Sequence, residues 1–270
     1  FSKAFNRAIG GGIAGSSAMV VQISSLMWLR TIMNHQYRYG GTTKNTIKNL
    51  YKDGGLIRFY RGYSAALLIA PLSRFGDTAS NAYVLSLFED SKLPTSVQTL
   101  TGSIIAMLWR STMMPLDALK TTMQVEGKQG IQLLKTKVKT NGYRSLFNGN
   151  IALMSATFVG HYPWFLTYNV LNDKLPKYEE TSKKLLRNAF IGFNAAVLSD
   201  CASNSLRVIK TVKQTNAKNI SYKDSVKSII KKDGIIGLFG RGLKVRILTN
   251  GLQGILFTVC WKYFEEKLKI

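Results

Sequence analysis

The sequence predicts an all-α membrane protein with six transmembrane helices, arranged as three tandem two-helix repeats. Three observations carry this prediction: long stretches without a charged residue, a repeat of 90 residues, and a basic excess in the predicted loops. The chain has 270 residues, of which 46% are apolar and 19% are charged. This composition excludes a disordered basic tail, and two cysteines exclude a disulfide scaffold.

Uncharged stretches recur at lengths that suit a bilayer. Residues 8–29 and 149–172 contain no Asp, Glu, Lys or Arg, and about 20 apolar residues span a hydrocarbon core. Shorter or interrupted stretches lie at 62–73, 93–109, 188–199 and 247–261. Polar residues inside these stretches indicate helices that surround a wet cavity.

Three segments that begin 90 residues apart align with one another. They are SLMWLRTIMN from Ser25, PLDALKTTMQ from Pro115 and SLRVIKTVKQ from Ser205. The same register superimposes Gly12, Gly102 and Gly192, which we expect at close helix crossings. Each repeat is predicted to contain a long helix, a lysine-rich loop with a short helix, and a second long helix. A single domain 1–270 therefore divides into repeats of about 1–92, 93–180 and 181–270.

These motifs resemble those of the mitochondrial carrier family. PLDALKTTMQ matches the P-x-D-x-x-K motif that closes the first helix of a carrier repeat, and acid–glycine steps precede the second helices. The resemblance implies a pseudo-threefold, multi-pass bundle in the mitochondrial inner membrane with short matrix helices. It also implies cardiolipin at the starts of the matrix and even-numbered helices. The corresponding lipid-binding candidates are Gly54, Gly62, Gly142, Gly149, Gly234 and Gly242.

The resemblance further implies a matrix gate, in which the motif acid of one repeat pairs with the motif cation of a neighbouring repeat. The candidates for this gate are Arg30, Pro115, Asp117, Lys120, Arg207 and Lys210. The acid position holds Met27 in repeat 1 and Arg207 in repeat 3, so Asp117 faces four cations. Nearby positive charge keeps a carboxylate ionised, and we expect Asp117 to pair with Lys210 or, as a second choice, with Arg30.

The opposite gate shows no salt-bridge pattern. Its acid positions fall at Asn81, Asn169 and Trp261, and its basic positions at Val84, Asn172 and Phe264.

Substrate contacts in the family register lie in the middle of the even-numbered helices. The candidates there are Leu68, Ile69, Ala156, Thr157, Leu248 and Thr249, with Ser73, His161 and Gln253 one turn above. None of the first six is charged, which favours a neutral or zwitterionic solute. His161 is either a substrate or proton contact or a hydrogen-bonded interior histidine. Arg110 and Asp200 are expected to pair at equal depth, either as a functional site or as a plug of the cavity.

Two functions remain open on the sequence. The first is transport of a small neutral or zwitterionic metabolite by alternating access. The second is a transport-inactive carrier fold that serves as a structural subunit of a larger inner-membrane complex, which the degenerate gates favour. No phosphate loop, metal-ligand spacing or nucleophile–base pair is present, so we expect neither an enzyme nor a cofactor. The expected partners are cardiolipin and subunits of such a complex, and not nucleic acid, since the basic residues map to membrane loops.

Overall fold

The computed structural model describes residues 2–73 and 95–267, and every regular element in these ranges is helical. Repeat 1 contains α1 (Ser2–Tyr39), α2 (Thr43–Lys52), α3 (Gly55–Arg58) and α4 (residues 63–73). Repeat 2 contains α5 (Thr95–Thr112), α6 (Met114–Glu126), α7 (Gln129–Asn141), a 3-10 helix (Tyr143–Phe147) and α8 (Asn150–Lys174). Repeat 3 contains α9 (Thr181–Thr215), α10 (Tyr222–Gly240) and α11 (Leu243–Lys267). Within these ranges, no helix is both long enough and apolar enough to cross a membrane.

The first long helix is interrupted in repeat 2 and continuous in the other two repeats. α5 ends at Thr112 and α6 begins at Met114, with Pro115 in its first turn. Proline has no backbone N–H and clashes with the preceding turn, so it interrupts a helix. Ser25 and Ser205 occupy the equivalent positions, and α1 and α9 run through them without a break.

Helices α8 and α9 cross closely, and the small residue at this crossing is Gly160. A Cβ atom added there would lie 2.9 Å from Ser199 Oγ. The predicted crossing at Gly192 is wrong, because a Cβ at that glycine would meet nothing within 4 Å. The buried face of α9 at this level is formed instead by Ile191 and Ala195. The packing around Gly12 lies outside the described side chains.

An apolar cluster joins repeat 1 to repeat 3. Leu26 and Ile32 of α1 pack with Leu50 of α2, with Phe59 and with Val245 of α11. These side chains are at most 6% exposed, and each buried apolar side chain contributes about 1.5–3 kcal/mol relative to exposure.

Each repeat places one buried cation at the C-terminal end of the next long helix around the ring. Arg58 Nη1 donates to the Gln124 carbonyl at 2.9 Å, and Lys137 Nζ donates to the Gln214 carbonyl at 2.8 Å. Arg241 Nη1 donates at 3.4 Å to the last carbonyls of α1. These carbonyls have no intrahelical donor and carry partial negative charge, so a cation stabilises them.

The three capping cations differ in their acidic partners. Asp53 pairs with Arg58 at 2.5 Å and Asp233 pairs with Arg241 at 2.7 Å. Repeat 2 has the neutral Asn141 at the equivalent position. Burial lowers the pKa of Lys137 to about 8, and the neighbouring charges of Arg38 and Lys213 act in the same direction. Lys137 therefore carries its charge at a higher cost than a surface lysine.

Candidate functional site

A cavity of about 510 Å³ opens between the long helices beside the start of α6. All three repeats contribute to its wall. The cationic side chains in this wall are Arg30, Arg110, Lys120, Arg207, Lys210 and Arg246. Among the lining residues that the structure describes, Asp117 is the single carboxylate, so this wall has a large excess of positive charge.

Asp117 lies at the centre of the predicted matrix gate. Its carboxylate accepts hydrogen bonds from Lys120 Nζ at 2.8 Å, from Lys210 Nζ, and from Gln214 Nε2 at 3.3 Å. The contact with Lys210 joins repeat 2 to repeat 3 and is the first-choice pair that the charge argument predicts. Pro115 starts α6 and so positions Asp117 in the first turn of that helix.

The two arginines of the matrix gate contact neutral groups. Arg30 Nη2 donates to Gln253 Oε1 at 2.9 Å, and Arg207 Nε donates to Ser203 Oγ at 3.2 Å. In the ranges that the structure covers, neither arginine has a carboxylate within ion-pair distance. The second-choice pair of Asp117 with Arg30 is therefore not formed.

Asp200 pairs with a residue that the sequence analysis missed. Arg246 Nε donates to Asp200 Oδ1 at 2.6 Å, and Asn250 Nδ2 donates to the other carboxylate oxygen. The expected pair of Asp200 with Arg110 is thus corrected: Arg246 of α11 takes that place, while Arg110 lines the cavity. Arg246 lies one helical turn before Asn250, which also binds Asp200, and this pair of polar residues on one face of α11 was the available signal.

The substrate-contact candidates divide into two groups. Ile69, Ser73, Thr249 and Gln253 line the cavity. Leu68 and Leu248 are 60% and 51% exposed and do not belong to the described cavity wall, so their proposed contact role is corrected. Adjacent residues on a helix point about 100° apart, and only one of each pair faces inward.

The candidates on α8 lie away from the cavity. Ala156 and Thr157 are buried, and Thr157 Oγ1 donates to the Leu153 carbonyl at 3.0 Å. His161 is half-buried with its ring 5.6 Å from that of Phe165. The described cavity wall includes none of these three candidates, and Leu153 is its contact from α8.

Neutral hydrogen bonds join the repeats where ion pairs were expected. Asn34 Nδ2 donates to Gln124 Oε1 at 2.6 Å, which links α1 to α6. Gln124 Nε2 donates to Met27 Sδ at 3.3 Å. Tyr37 Oη donates to Asn204 Oδ1 at 3.1 Å and links α1 to α9. Asn34 and Gln124 lie one turn beyond the motif cations Arg30 and Lys120, but a charge-based search passes over them.

The opposite gate falls partly outside the described residues. This applies to Asn81 and Val84 and to the side chains of Trp261 and Phe264. Asn172 accepts from Arg187 Nη1 at 3.0 Å, and Arg187 Nη2 donates to the Asn172 carbonyl at 2.6 Å. A cation bound to neutral oxygens therefore joins the end of α8 to α9.

All six lipid-binding candidates have a positive φ angle: Gly54, Gly62, Gly142, Gly149, Gly234 and Gly242. Gly149 directly precedes α8 and has a φ of +92°, and a Cβ there would lie 2.9 Å from the Lys210 carbonyl. Only glycine combines this left-handed conformation with so close an approach. The Tyr222 hydroxyl lies against the backbone amides at the start of α8 and already occupies part of that surface.

Comparison with known families identifies the fold. The family described as Mitochondrial carrier protein matches residues 91–179 and 181–269, about two thirds of the chain. The chain belongs to the mitochondrial carrier family. These two ranges correspond to the second and third predicted repeats, and the all-α fold is that of a carrier.

Curated relatives of this carrier are distant in sequence. The calcium-dependent mitochondrial ATP-magnesium/phosphate carrier protein 3 of Arabidopsis thaliana is 23% identical, over 89% of this chain and 52% of the relative. The mitochondrial glycine transporter of Debaryomyces hansenii is 23% identical, over 95% and 87%. The mitochondrial thiamine pyrophosphate carrier 1 of Yarrowia lipolytica is 28% identical, over 67% and 59%. The carrier thus spans about half the length of the plant relative.

Proposed function

We propose that this protein is a multi-pass carrier of the mitochondrial inner membrane, not an enzyme, and that it moves a small anionic solute by alternating access. The observation that carries this proposal is the cationic wall of the cavity, with Asp117 as its one described carboxylate. A buried anion is stable only beside compensating cations and donors. A cavity with low-dielectric walls and one sign of charge also concentrates the oppositely charged solute.

The position of the charges explains the difference from the sequence-based expectation of a neutral or zwitterionic solute. The expected contact positions are uncharged, but Arg30 and Arg207 project into the same cavity from α1 and α9. Arg246 adds a third cation from α11, close enough to interact electrostatically with both. Selection of an anion therefore depends on Arg30 and Arg207, which belong to long helices that precede short ones, together with Arg246 of α11.

The names of the relatives are compatible with several solute classes. Two of them refer to phosphorylated anions, ATP-magnesium with phosphate and thiamine pyrophosphate. Another refers to glycine, which is a zwitterion at neutral pH. The charge of the cavity favours the anionic class.

Uptake into liposomes tests this proposal. The purified carrier is reconstituted, and uptake of labelled phosphate, a nucleotide, a dicarboxylate and glycine is compared at constant ionic strength. We expect uptake of at least one anion and none of glycine. Arg30→Gln should lower anion uptake about tenfold, the usual effect of losing one charge-assisted contact, whereas Arg144→Gln on the exposed 3-10 helix should not. Uptake of glycine alone would contradict the proposal.

A structural role in a larger inner-membrane complex is the second candidate. It is favoured by the matrix gate, where Asp117 with Lys210 is the one inter-repeat ion pair among the described gate residues and neutral hydrogen bonds join the other repeats. Such a gate suits a bundle that stays in one state. Native electrophoresis of gently extracted membranes distinguishes the two roles, since a structural subunit migrates with a large complex and a carrier migrates alone.

We further propose that cardiolipin binds at the glycine-containing starts of the helices. Exposed apolar side chains lie just after two of the glycines: Leu56 and Ile57 beyond Gly54, and Ile235 and Ile236 after Gly234, where α10 is kinked and a second helical segment starts. Apolar residues beside backbone amides suit a lipid with an acidic headgroup. Native mass spectrometry after mild extraction should find retained cardiolipin in preference to phosphatidylcholine. Equal retention of both lipids would argue against specific binding.

A further inference from the structure

The symmetry of the matrix gate sets two arginines against each other at one of its three contacts. Asp117 of repeat 2 contacts Lys210 of repeat 3. Moving Asp117 on by the 90-residue repeat gives position 207 in repeat 3. Moving Lys210 on by one repeat around the ring gives position 30 in repeat 1. Both positions hold arginine, so the symmetry equivalent of the observed ion pair would place two cations opposite each other.

Arg30 and Arg207 present donors to the same cavity. Each has one neutral partner, Gln253 or Ser203, and both line the cavity wall. Among the described side chains, neither guanidinium leaves a nitrogen buried and unpaired. Each of their nitrogens is therefore hydrogen-bonded or accessible, and the accessible space that both side chains line is the cavity.

The nearby carboxylates compensate these two arginines only in part. Asp117 is engaged by Lys120 and Lys210, and Asp200, which acts electrostatically on Arg207, is engaged by Arg246. Arg246 itself interacts electrostatically with both arginines and adds to the positive potential between them. The part of the cavity that Arg30 and Arg207 line thus combines accessible guanidinium donors with excess positive charge.

The geometry points to an oxyanion site between Arg30 and Arg207, in which a bound carboxylate or phosphate group takes the place of the missing carboxylate of repeat 3. A guanidinium group offers parallel N–H donors that match two oxygens of such a group, so a polyatomic oxyanion binds better than a halide. The bound anion links α1 to α9 and stabilises the closed gate. This inference rests on the proposed anion transport for the origin of the ligand, but not for the existence of the site.

Thermal unfolding with inorganic phosphate as the probe tests the site. The full-length carrier in detergent is followed by tryptophan fluorescence, in phosphate or in chloride at equal ionic strength. Phosphate at ten times its Kd should raise the midpoint by about 2–4 °C above chloride. Arg207→Asp should raise the midpoint in chloride and abolish the phosphate effect, because the introduced carboxylate forms the missing pair with Arg30.

Two further variants keep the test decisive. Arg207→Gln removes the charge with little change in size and should also abolish the phosphate effect, even if Arg207→Asp does not fold. Lys177→Asp makes the same type of charge change as Arg207→Asp on the exposed loop between α8 and α9, and should retain the effect. An equal midpoint in phosphate and chloride for the native protein, or a full phosphate effect in Arg207→Gln, would overturn the inference.

Liposome uptake separates this inference from the proposed function. A phosphate effect that depends on Arg207, without uptake of any anion, would leave the site standing and remove the transport proposal. Anion uptake together with a phosphate effect in Arg207→Gln would leave the transport proposal standing and remove the site. If phosphate itself is exchanged, it is the transported ligand; if only a larger oxyanion is exchanged, the site binds the corresponding group of that solute.

Discussion

Replacing Asp117 by asparagine removes the one carboxylate described in the cavity wall. The side chain of Asp117 is 17% exposed, and that of Lys210 is 11% exposed. Asparagine keeps one oxygen acceptor but loses the negative charge that compensates Lys120 and Lys210. Those two cations then face each other, with Arg30 and Arg207 in the same cavity.

The magnitude follows from this partial burial. Removing one partner of a fully buried ion pair costs about 3–5 kcal/mol. The cavity is open to water and the asparagine oxygen still accepts a hydrogen bond, so we expect a loss of about 2–3 kcal/mol in Asp117→Asn. For a protein of this size, the unfolding midpoint should fall by about 4–6 °C.

A double-mutant cycle with Lys210→Met measures the pair itself. Because the double variant removes Lys210 together with its carboxylate partner, it should be more stable than the sum of the two single losses by about 1–2 kcal/mol. The matched control is the exposed pair of Glu180 and Lys183, which has a 2.8 Å separation and should show no measurable coupling. Additive losses at Asp117 and Lys210 would refute the argument that this pair holds the matrix gate.

Three further predictions concern the packing that surrounds the gate. In thermal unfolding, Gly149→Ala should destabilise the carrier by about 2 kcal/mol or more, because the added Cβ meets a backbone carbonyl at a position with a positive φ. Gly192→Ala is the control: it has open space around it in α9 and should stabilise the carrier by about 0.5 kcal/mol. Lys137 has a pKa of about 8 in the folded protein against an ordinary 10.5, so the unfolded chain binds more protons between these values and stability rises with pH across this window. The stability of the native protein should therefore rise by up to about 3 kcal/mol between about pH 7 and about pH 10, and Lys137→Met should lack this rise. An unchanged pH slope in Lys137→Met would contradict a buried charged lysine. Tyr37→Phe should cost about 1–2 kcal/mol in thermal unfolding, since it leaves the fully buried Asn204 oxygen without its donor; an unaltered midpoint would mean that this link between α1 and α9 contributes nothing.

The sequence alone determined the repeat, the family and the pairing of the one motif acid. Asp117 lies in a motif that recurs every 90 residues, and the charge of its neighbours leaves few stable arrangements for a carboxylate. Each of these properties depends on local chemistry or on symmetry.

The tertiary structure decided which side chains face the cavity. Leu68 and Ile69 are adjacent in the chain, yet one is exposed outside the described cavity wall and the other lines the cavity, because helix rotation depends on packing against neighbouring helices. Asp200 pairs with Arg246 and not with Arg110, since the choice between two arginines depends on distances that span 46 and 90 residues of chain. The neutral contacts of Asn34 and Tyr37 were likewise decided by tertiary structure, because polar uncharged residues give no signal of their partner until the helices are placed side by side.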